Sequence, residues 1–349
     1  MRFTAELSLC GTTVWAPDTV ERPAVALADG RLTQEAVDEL DLEYVPVAPA
    51  DLSPADMAVR AARRALSLSG TPGGDIGLLL HCCIWHQGYD MWSAPHFIAN
   101  EIGARSVLPA TMSQGCNAVM PALELAASRL LADDSLEAAM ITAADRFVLP
   151  GFDRWTGSYA CAHGDAATAT VIKRGAHPGQ GLLLRSVRSV AVPELEEMNR
   201  AGLELTPAPR WNMENLDLRG TKKAYLQKHG FETFEKLAKG AIVSALEGAF
   251  ADADVDPADP RVKAVTMPRM SRKIVRGTYF PVIAEVTPAP PLGLARHTGH
   301  LSCSDILANI ADMSEPAGGP LTAPGDIGVV VNAGGGYTWS ALVLEVPGA

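Results

Sequence analysis

The stretch Ser113-Gln114-Gly115-Cys116-Asn117-Ala118 runs directly into an apolar, helix-periodic segment over residues 119 to 131. A cysteine placed just before the first turn of a buried helix meets unpaired backbone N–H groups and the positive end of the helix dipole. Both favour the thiolate, which is the nucleophilic form. Gly115 allows a strained turn and a close approach of substrate. The alternative interpretation is a small buried cysteine at the start of a core helix.

A second segment later in the chain favours the nucleophile. Thr298-Gly299-His300-Leu301-Ser302 precedes a helical pattern over residues 306 to 313, and it carries a histidine where the first segment carries the cysteine. Matching pieces surround both segments. They are the strands 138–143 and 327–332, the helices 57–66 and 237–250, and the strands 76–80 and 262–266. The chain is therefore predicted to consist of two related α/β halves.

Two related halves would bring equivalent loops together, so Cys116 and His300 are expected to face each other. A thiol beside an imidazole makes an activated nucleophile with its base. Asp305 is the candidate for orienting and charge-stabilising the imidazole. Positions 300 and 305 do not share one helix face, so this requires His300 to lie in the loop before the helix. His297 is a rival base.

Composition excludes several classes of function. The chain has 349 residues and a net charge of −11, which argues against a general nucleic-acid or anionic-membrane binder. Its six cysteines form no CxxC pair, so reduced thiols and a cytoplasmic location are expected. No segment reaches the ~20 apolar residues of a spanning helix. His81, Cys82 and Cys83 alternate across a predicted strand, so no metal site is predicted there.

The chain is divided into three parts. Residues 1–174 form the N-terminal half with the nucleophile, and residues 231–349 form the C-terminal half with the histidine. Residues 175–230 are predicted to be a connecting strand and a lid or insertion region. Trp155 and Trp211 are candidate walls of the substrate site. The run Gly334-Gly335-Gly336-Tyr337-Thr338-Trp339 is either a hairpin turn or a loop whose N–H groups face a ligand.

These residues resemble the thiolase superfamily, and within it the ketoacyl synthase III group, over nearly the full length. The resemblance rests on Gly115-Cys116, Gly164-Asp165, Gly299-His300-Leu301-Ser302 and the glycine-rich run. It implies a five-layered αβαβα fold, a homodimer and an acyl group carried on Cys116. It also implies an oxyanion hole made by the N–H groups of Cys116 and Gly336, with no permanently bound cofactor.

The chain departs from the condensing members at two positions. Their His-Gln-Ala-Asn motif corresponds to Arg269-Met270-Ser271-Arg272, and the asparagine of their Gly-Asn-Thr-Ser motif corresponds to His300. In the family this His/Asn pair stabilises the carbanion formed when malonyl loses CO₂. Its loss is expected to disable decarboxylation while leaving acyl loading intact, with His300 free to deprotonate an acceptor.

The altered pattern is similar to the ketosynthase III-like acyltransferases that place a malonyl-like unit on a sugar hydroxyl, as in cervimycin biosynthesis. The expected acceptor is therefore a glycosylated small molecule. Arg269 is either the site of the retained carboxylate or a surface arginine. The family's early Trp/Arg pattern for coenzyme A is not evident around residues 34–46, so acyl-CoA and an acyl carrier protein both remain possible donors.

Three other functions compete with O-acyl transfer. The first is a decarboxylative ketoacyl synthase III-type condensing enzyme with altered catalytic residues. The second is a non-catalytic partner subunit, which the retained Cys116 disfavours. The third is a cysteine hydrolase, which requires water to reach the acyl-cysteine. An ester formed without CO₂ release separates the preferred function from the condensing alternative.

Overall fold

The computed structural model describes residues 1–3, 5–209 and 214–348. The strands are β1 Leu7–Trp15, β2 Val20–Glu21, β3 Val45–Pro46, β4 Ile76–Cys82, β5 Leu108–Met112, β6 Ala138–Asp145, β7 Ala166–Arg174, β8 Gly181–Ala191, β9 Val262–Thr266, β10 Pro291–Leu292, β11 Ile327–Gly334 and β12 Thr338–Glu345. The α-helices are α1 Pro23–Ala28, α2 Gln34–Leu40, α3 Pro54–Ser69, α4 Ala94–Glu101, α5 Val119–Ala132, α6 Leu218–His229, α7 Phe231–Ala253, α8 Arg272–Ile274, α9 Phe280–Val286 and α10 Asp305–Met313.

Ten of these strands form one sheet in two halves of identical topology. The order is β10-β9-β11-β12-β8-β1-β7-β6-β4-β5, while β2 and β3 pair separately. Each half begins with an antiparallel pair, continues through a second antiparallel pair and ends with two parallel pairs. The halves join where β1 pairs with β8. The predicted duplication is confirmed.

The helices lie in three layers around the two half-sheets. Helices α5 and α10 are buried between the half-sheets, with α3 and α4 covering the first and α7 and α9 covering the second. Alternate residues of a strand divide between the layers: in β4, Leu78 and Leu80 face the central helices, whereas Leu79 faces the outer ones. This is the predicted αβαβα five-layer fold.

Local signals account for the ends of helix α3, which begins before the segment predicted from periodicity. Ser53 and Asp56 form a reciprocal capping box, and Pro54 occupies the first turn. Gly70 ends the helix in the left-handed conformation with φ +61°. The first turn, Pro54-Ala55-Asp56, is set by this cap and precedes the predicted segment, which begins at residue 57.

Strand β8 lies inside the predicted connecting segment of residues 175–230, yet it pairs with β12 of the second half. The same segment contains a 3₁₀ helix, Pro193–Asn199, and α6. The division of the chain at residues 174 and 230 stays a prediction. Among the described residues, no helix combines the length and apolar character needed to cross a bilayer.

The buried histidine of β4, His81, makes the fold sensitive to acid. Its two nitrogens bond Thr142 Oγ1 and Gln87 Oε1, both at 2.9 Å. Burial lowers its pKa from 6.5 to about 4, although the hydrogen bond with Gln87 acts in the opposite direction. The neutral ring is therefore favoured in the fold, and the stability it supports is present above pH 6.5 and lost as pH falls towards 4.

We expect His81→Gln, whose side chain does not titrate, to lose less stability in acid than the parent protein. The gap in unfolding free energy between the two proteins should change by about 3 kcal/mol from pH 7 to pH 4, the equivalent of this pKa shift. Urea unfolding at several pH values measures it. Comparing the two proteins cancels the opposing contribution of Asp145, whose pKa burial raises to about 6. Parallel pH profiles would contradict the assignment to His81.

Candidate active site

The nucleophile turn, residues 114–118, presses against the glycine-rich hairpin of the second half. Gly115 has φ +53°, and a Cβ there would lie 2.3 Å from the Gly335 nitrogen. A Cβ at Gly334 would lie 2.4 Å from the Gln114 oxygen. Only glycine permits this backbone-to-backbone approach. It places Cys116, just before α5, beside the hairpin.

The imidazole of His300 reaches Cys116 from the other half of the molecule. Its Nε2 lies 3.0 Å from the Cys116 sulfur. Gly299, with φ +63°, turns the chain, and the His300 N–H donates to the Ala162 oxygen at 2.8 Å. The two residues are 184 positions apart in sequence. The structure therefore brings together the side chains expected to face each other.

Asp305 holds the opposite side of the imidazole. His300 Nδ1 lies 2.5 Å from Asp305 Oδ2, and the carboxylate also accepts the N–H groups of Leu301 at 2.7 Å and Arg269 at 2.9 Å. A 3₁₀ turn, Ser302–Ser304, separates His300 from Asp305, the first residue of α10. His300 thus lies in the loop before the helix. This geometry favours a proton on Nδ1 and directs Nε2 towards sulfur.

The charges of Asp305 and Cys116 favour the protonated form of the His300 imidazole. Burial by itself lowers the pKa of His300, but the neighbouring charges of Asp305 and Cys116 outweigh burial and raise the pKa well above its ordinary value. Asp305 is fully buried and His300 is 4% exposed, so solvent screens these charges little. The arrangement fits a thiolate–imidazolium pair supported by a carboxylate.

Two backbone N–H groups, one in the nucleophile turn and one in the hairpin, have no protein acceptor among the described residues. Gly334 pairs with Thr338 across β11 and β12, so residues 335–337 form a hairpin turn in which Gly336 has φ +85°. Within the described parts of the chain, the N–H groups of Cys116 and Gly336 donate to no protein acceptor. The run is therefore a hairpin that also leaves N–H groups unused, and it can supply the donors of an oxyanion hole.

The surface-exposed interpretation of Arg269 is wrong, because its side chain is only 3% exposed. Four guanidinium N–H bonds go to protein acceptors: Asn309 Oδ1, the Leu294 oxygen, Thr298 Oγ1 and Asp312 Oδ2. A guanidinium has five N–H donors, so one remains. Bidentate recognition of a substrate carboxylate needs two. The predicted carboxylate contact stays a prediction, with a single N–H left for it, and Arg269 joins the loop before α10 to that helix.

Replacing Arg269 with methionine is expected to destabilise the fold by about 2 to 4 kcal/mol, because the change leaves buried acceptors without their donor. Chemical unfolding measures the loss. The rates of acyl loading from malonyl-CoA and from acetyl-CoA should change by the same factor in this variant. Selective loss of malonyl loading at unchanged stability would instead support the carboxylate-binding role.

The other predicted residues lie in different places. Trp155 is buried, contacts Glu21 Oε1 through its Nε1 at 2.5 Å, and lines a cavity of about 340 Å³. Trp211 lies outside the described residues. His297 is exposed and its Nε2 lies 3.1 Å from Glu43 Oε2, so the structure does not bring it to Cys116. Among the described residues, no cluster of three His, Cys, Asp or Glu side chains could hold a metal.

Sequence reasoning missed His163, which lies beside the catalytic pair. Its ring centroid is 5.1 Å from that of His300 and 4.2 Å from that of Phe147. Its Nε2 is 3.0 Å from Ser158 Oγ, which lines the 340 Å³ cavity. Burial first, and then the charge of His300, lowers the pKa of His163 well below its ordinary value. The only sequence signal was its place before Gly164-Asp165.

Comparisons with known proteins agree with this fold. Residues 111–189 match the family model for 3-oxoacyl-[acyl-carrier-protein (ACP)] synthase III. A solved structure titled "ChlB3 [Aceyltransferase]" is similar at 28% identity, covering 98% of both chains with a TM-score of 0.86. 3-Oxoacyl-(acyl carrier protein) synthase III from Pseudomonas aeruginosa PAO1 covers 98% of this chain and 99% of its own at 16% identity and TM-score 0.75. A comparison with curated proteins found no match.

Fold and site together define an enzyme of the thiolase-fold class, with a cysteine at the junction of two duplicated halves. Within that class, the chain is similar to ketoacyl synthase III over residues 111–189 and to the acyltransferase ChlB3 over nearly its full length. The matched family segment contains both Cys116 and the Gly164-Asp165 turn.

Proposed function

We propose that this enzyme loads a malonyl-like acyl group onto Cys116 and passes it to a hydroxyl of a sugar or glycosylated polyketide. The product is an ester, and no CO₂ is released. The observation that carries the proposal is the contact of one imidazole with both sulfur and carboxylate, at 3.0 Å and 2.5 Å. Such a base can serve both halves of an acyl transfer.

In the first half-reaction, the Cys116 thiolate attacks the carbonyl carbon of the donor thioester. The N–H groups of Cys116 and Gly336 stabilise the oxyanion. When the tetrahedral intermediate collapses, the donor C–S bond breaks and the leaving thiolate takes the proton from His300 Nε2. The acyl-cysteine and a neutral imidazole remain, with Asp305 still holding Nδ1–H.

In the second half-reaction, neutral His300 removes the proton of the acceptor hydroxyl as its oxygen attacks the acyl-cysteine. The C–S bond to Cys116 breaks and the sulfur leaves as a thiolate. The imidazolium then again faces the thiolate, so the starting state is restored. Each step moves one proton through Nε2, which is why a single histidine suffices.

Decarboxylation would need a separate group to stabilise the carbanion. Arg269 occupies the position of the histidine that serves this purpose in the condensing enzymes that the chain resembles. Its guanidinium is engaged by four protein acceptors. The alternative function, decarboxylative condensation, therefore has less support. The neighbour titled an acyltransferase supports the same choice.

The donor is proposed to be acyl-CoA or an acyl carrier protein, with no permanently bound cofactor. The acyl-binding tunnel is proposed to include the cavity lined by Trp155, Ser158 and Cys161. Two cations, Arg219 and Lys273, and two carboxylates, Glu35 and Glu39, lie at this cavity, and Lys273 pairs with Glu39. Either donor carries phosphate on its pantetheine arm, and Arg219 is the side chain that suits this charge.

We also propose a cytoplasmic homodimer formed along β5. This strand is the edge of the sheet, and Leu108 is 61% exposed on it. The nearby loop exposes Tyr89, Met91 and Trp92, and its Cys83 N–H donates to the Met112 oxygen at the end of β5. A free edge with an apolar border suits pairing with a second copy. Light scattering after size-exclusion chromatography should give about twice the monomer mass of 36.8 kDa.

Mass spectrometry of the intact protein after incubation with malonyl-CoA tests the acyl chemistry. The proposal expects a malonyl adduct on Cys116 that keeps its carboxylate, followed by transfer of the intact malonyl group to a glycoside such as an olivosyl or glucosyl aromatic polyketide. Release of ¹³CO₂ from malonyl-CoA labelled at the free carboxyl, with a ketone product, would establish the condensing alternative instead.

A further inference from the structure

A group of polar side chains lies fully buried behind the nucleophile turn. Asn117 Nδ2 donates to Ser340 Oγ at 2.8 Å, and Asn332 Nδ2 donates to the Cys116 oxygen at 2.9 Å. All three of these side chains are 0% exposed. We call Asn117, Asn332 and Ser340 the polar clamp. None of the three belongs to the catalytic group Cys116, His300 and Asp305 described above.

The clamp crosses between the two halves of the molecule in both directions. Asn117 belongs to the first half and reaches Ser340 on β12. Asn332 belongs to the second half, on β11, and reaches the carbonyl of Cys116. Asn332 and Ser340 are directly opposite each other in the β11–β12 ladder. The nucleophile turn is therefore bonded to both strands of the hairpin at a single rung.

Burying the clamp has a cost that the fold does not require. The Oδ1 atoms of Asn117 and Asn332 are buried and, among the described residues, have no hydrogen-bond partner. A buried acceptor without a partner destabilises a fold, and an apolar side chain at either position would carry no such oxygen. Such exceptions in a folded protein call for a reason. What the two amides contribute is their N–H donors, which bond Ser340 and the Cys116 carbonyl.

The location of these bonds supplies the reason. The proposed oxyanion hole takes one N–H from Cys116 in the first half and one from Gly336 in the second half. Its width depends on how the nucleophile turn is placed against the hairpin of residues 335–337. Glycine contacts only allow the two backbones to approach; directional hydrogen bonds can define their relative position.

We propose that the polar clamp is a positioning device that sets the spacing of the two oxyanion N–H donors. Asn332 holds the peptide that follows Cys116, and Asn117 holds the strand that leaves the hairpin. The clamp acts through the backbone and touches no substrate. This inference rests on the proposed acyl loading of Cys116, but not on the identity of the acceptor.

Two reactions of Cys116 separate this role from a general structural one. Alkylation by iodoacetamide is a displacement at carbon that forms no oxyanion, so it needs the thiolate but not the N–H pair. Acyl loading from malonyl-CoA or acetyl-CoA needs both. Removing one oxyanion donor typically costs about 10²- to 10³-fold, so displacing one should cost about 10- to 100-fold.

The experiment compares Asn332→Leu, which is similar in size, and Ser340→Ala, which is the smaller change if the first fails to fold. We expect the acyl loading rate to fall about 10- to 100-fold in each, with the alkylation rate within about twofold of the parent. Ser189→Ala is the matched control. Ser189 Oγ lies 2.8 Å from Ser340 Oγ but does not bond the nucleophile turn, so loading should be retained.

Two results would contradict the proposed positioning role of the polar clamp. One is normal loading in both variants, and the other is an equal loss of loading and alkylation, which would place the defect in the thiolate or in folding. If the parent protein itself takes no acyl group from either donor, the proposed function fails together with the clamp. If the parent loads and the variants load equally well, only the clamp fails.

Discussion

Cys116→Ala is expected to abolish acyl loading, with a loss of at least about 10⁴-fold, the scale seen when a catalytic nucleophile is removed. The sulfur is the atom that forms the new thioester, and nothing else in the site can replace it. Intact-mass measurement after incubation with an acyl donor should show no adduct. Peptide mapping of the parent protein should place the adduct on Cys116.

The remaining cysteines should not interfere, because their surroundings keep them protonated. Burial raises the pKa of Cys82 and Cys303 well above that of a free thiol, and it raises the pKa of Cys83 to about 12. Cys303 provides the test of this expectation, because its thiol donates to the oxygen of Gly115, the residue before Cys116, at 3.2 Å. Cys303→Ala should load normally. An adduct that survives Cys116→Ala would remove Cys116 from the mechanism.

His300→Ala is expected to block transfer and also to slow acyl loading by about 10²- to 10⁴-fold. If His300 acted only on the acceptor hydroxyl, labelling of Cys116 would survive and only the second half-reaction would be lost. The 3.0 Å contact between Nε2 and the sulfur changes that expectation, because the same imidazole supports the thiolate and protonates the leaving thiol. Stopped-flow or quenched mass spectrometry of the loading step gives the rate.

The matched control is His297→Ala, three residues earlier in the same segment. His297 is exposed, and its ring lies 5.3 Å from that of Tyr44, away from the thiol. Loading and transfer should both be retained in this variant. If transfer persists in His300→Ala at the parental rate, the general-base role of His300 is wrong. If His297→Ala is the inactive variant instead, the rival base was the correct choice.

Much of the fold was predictable because its signals are local. Apolar periodicity located α5 and α10, and apolar runs located β4, β6, β9 and β11. These positions recur in the same order in both halves, so the duplication could be inferred without coordinates. The ends of elements were less predictable. The first turn of α3 depends on its capping box, and α7 begins at Phe231, directly after Gly230 and before the apolar pattern that starts at residue 237.

The environment of Arg269 depends on tertiary contacts that no local sequence pattern predicts. A guanidinium can lie on the surface, bind a substrate carboxylate or bond protein acceptors. Its partners here come from two segments, the loop that holds Leu294 and Thr298 and the helix that holds Asn309 and Asp312. His163 was missed for the same reason, since its importance comes from the ring of His300 beside it.

By itself, the sequence determined that two similar α/β halves exist, that one begins a helix with Gly115-Cys116, and that the other presents Gly299-His300 at the equivalent point. These conclusions follow from periodicity and residue type, which act over a few turns of chain. Only the tertiary structure decided the distances: sulfur to imidazole, imidazole to Asp305, and amide to carbonyl in the polar clamp. Those distances are set by packing between segments remote in sequence, because a hydrogen bond depends on tenths of an ångström that spacing along the chain does not specify.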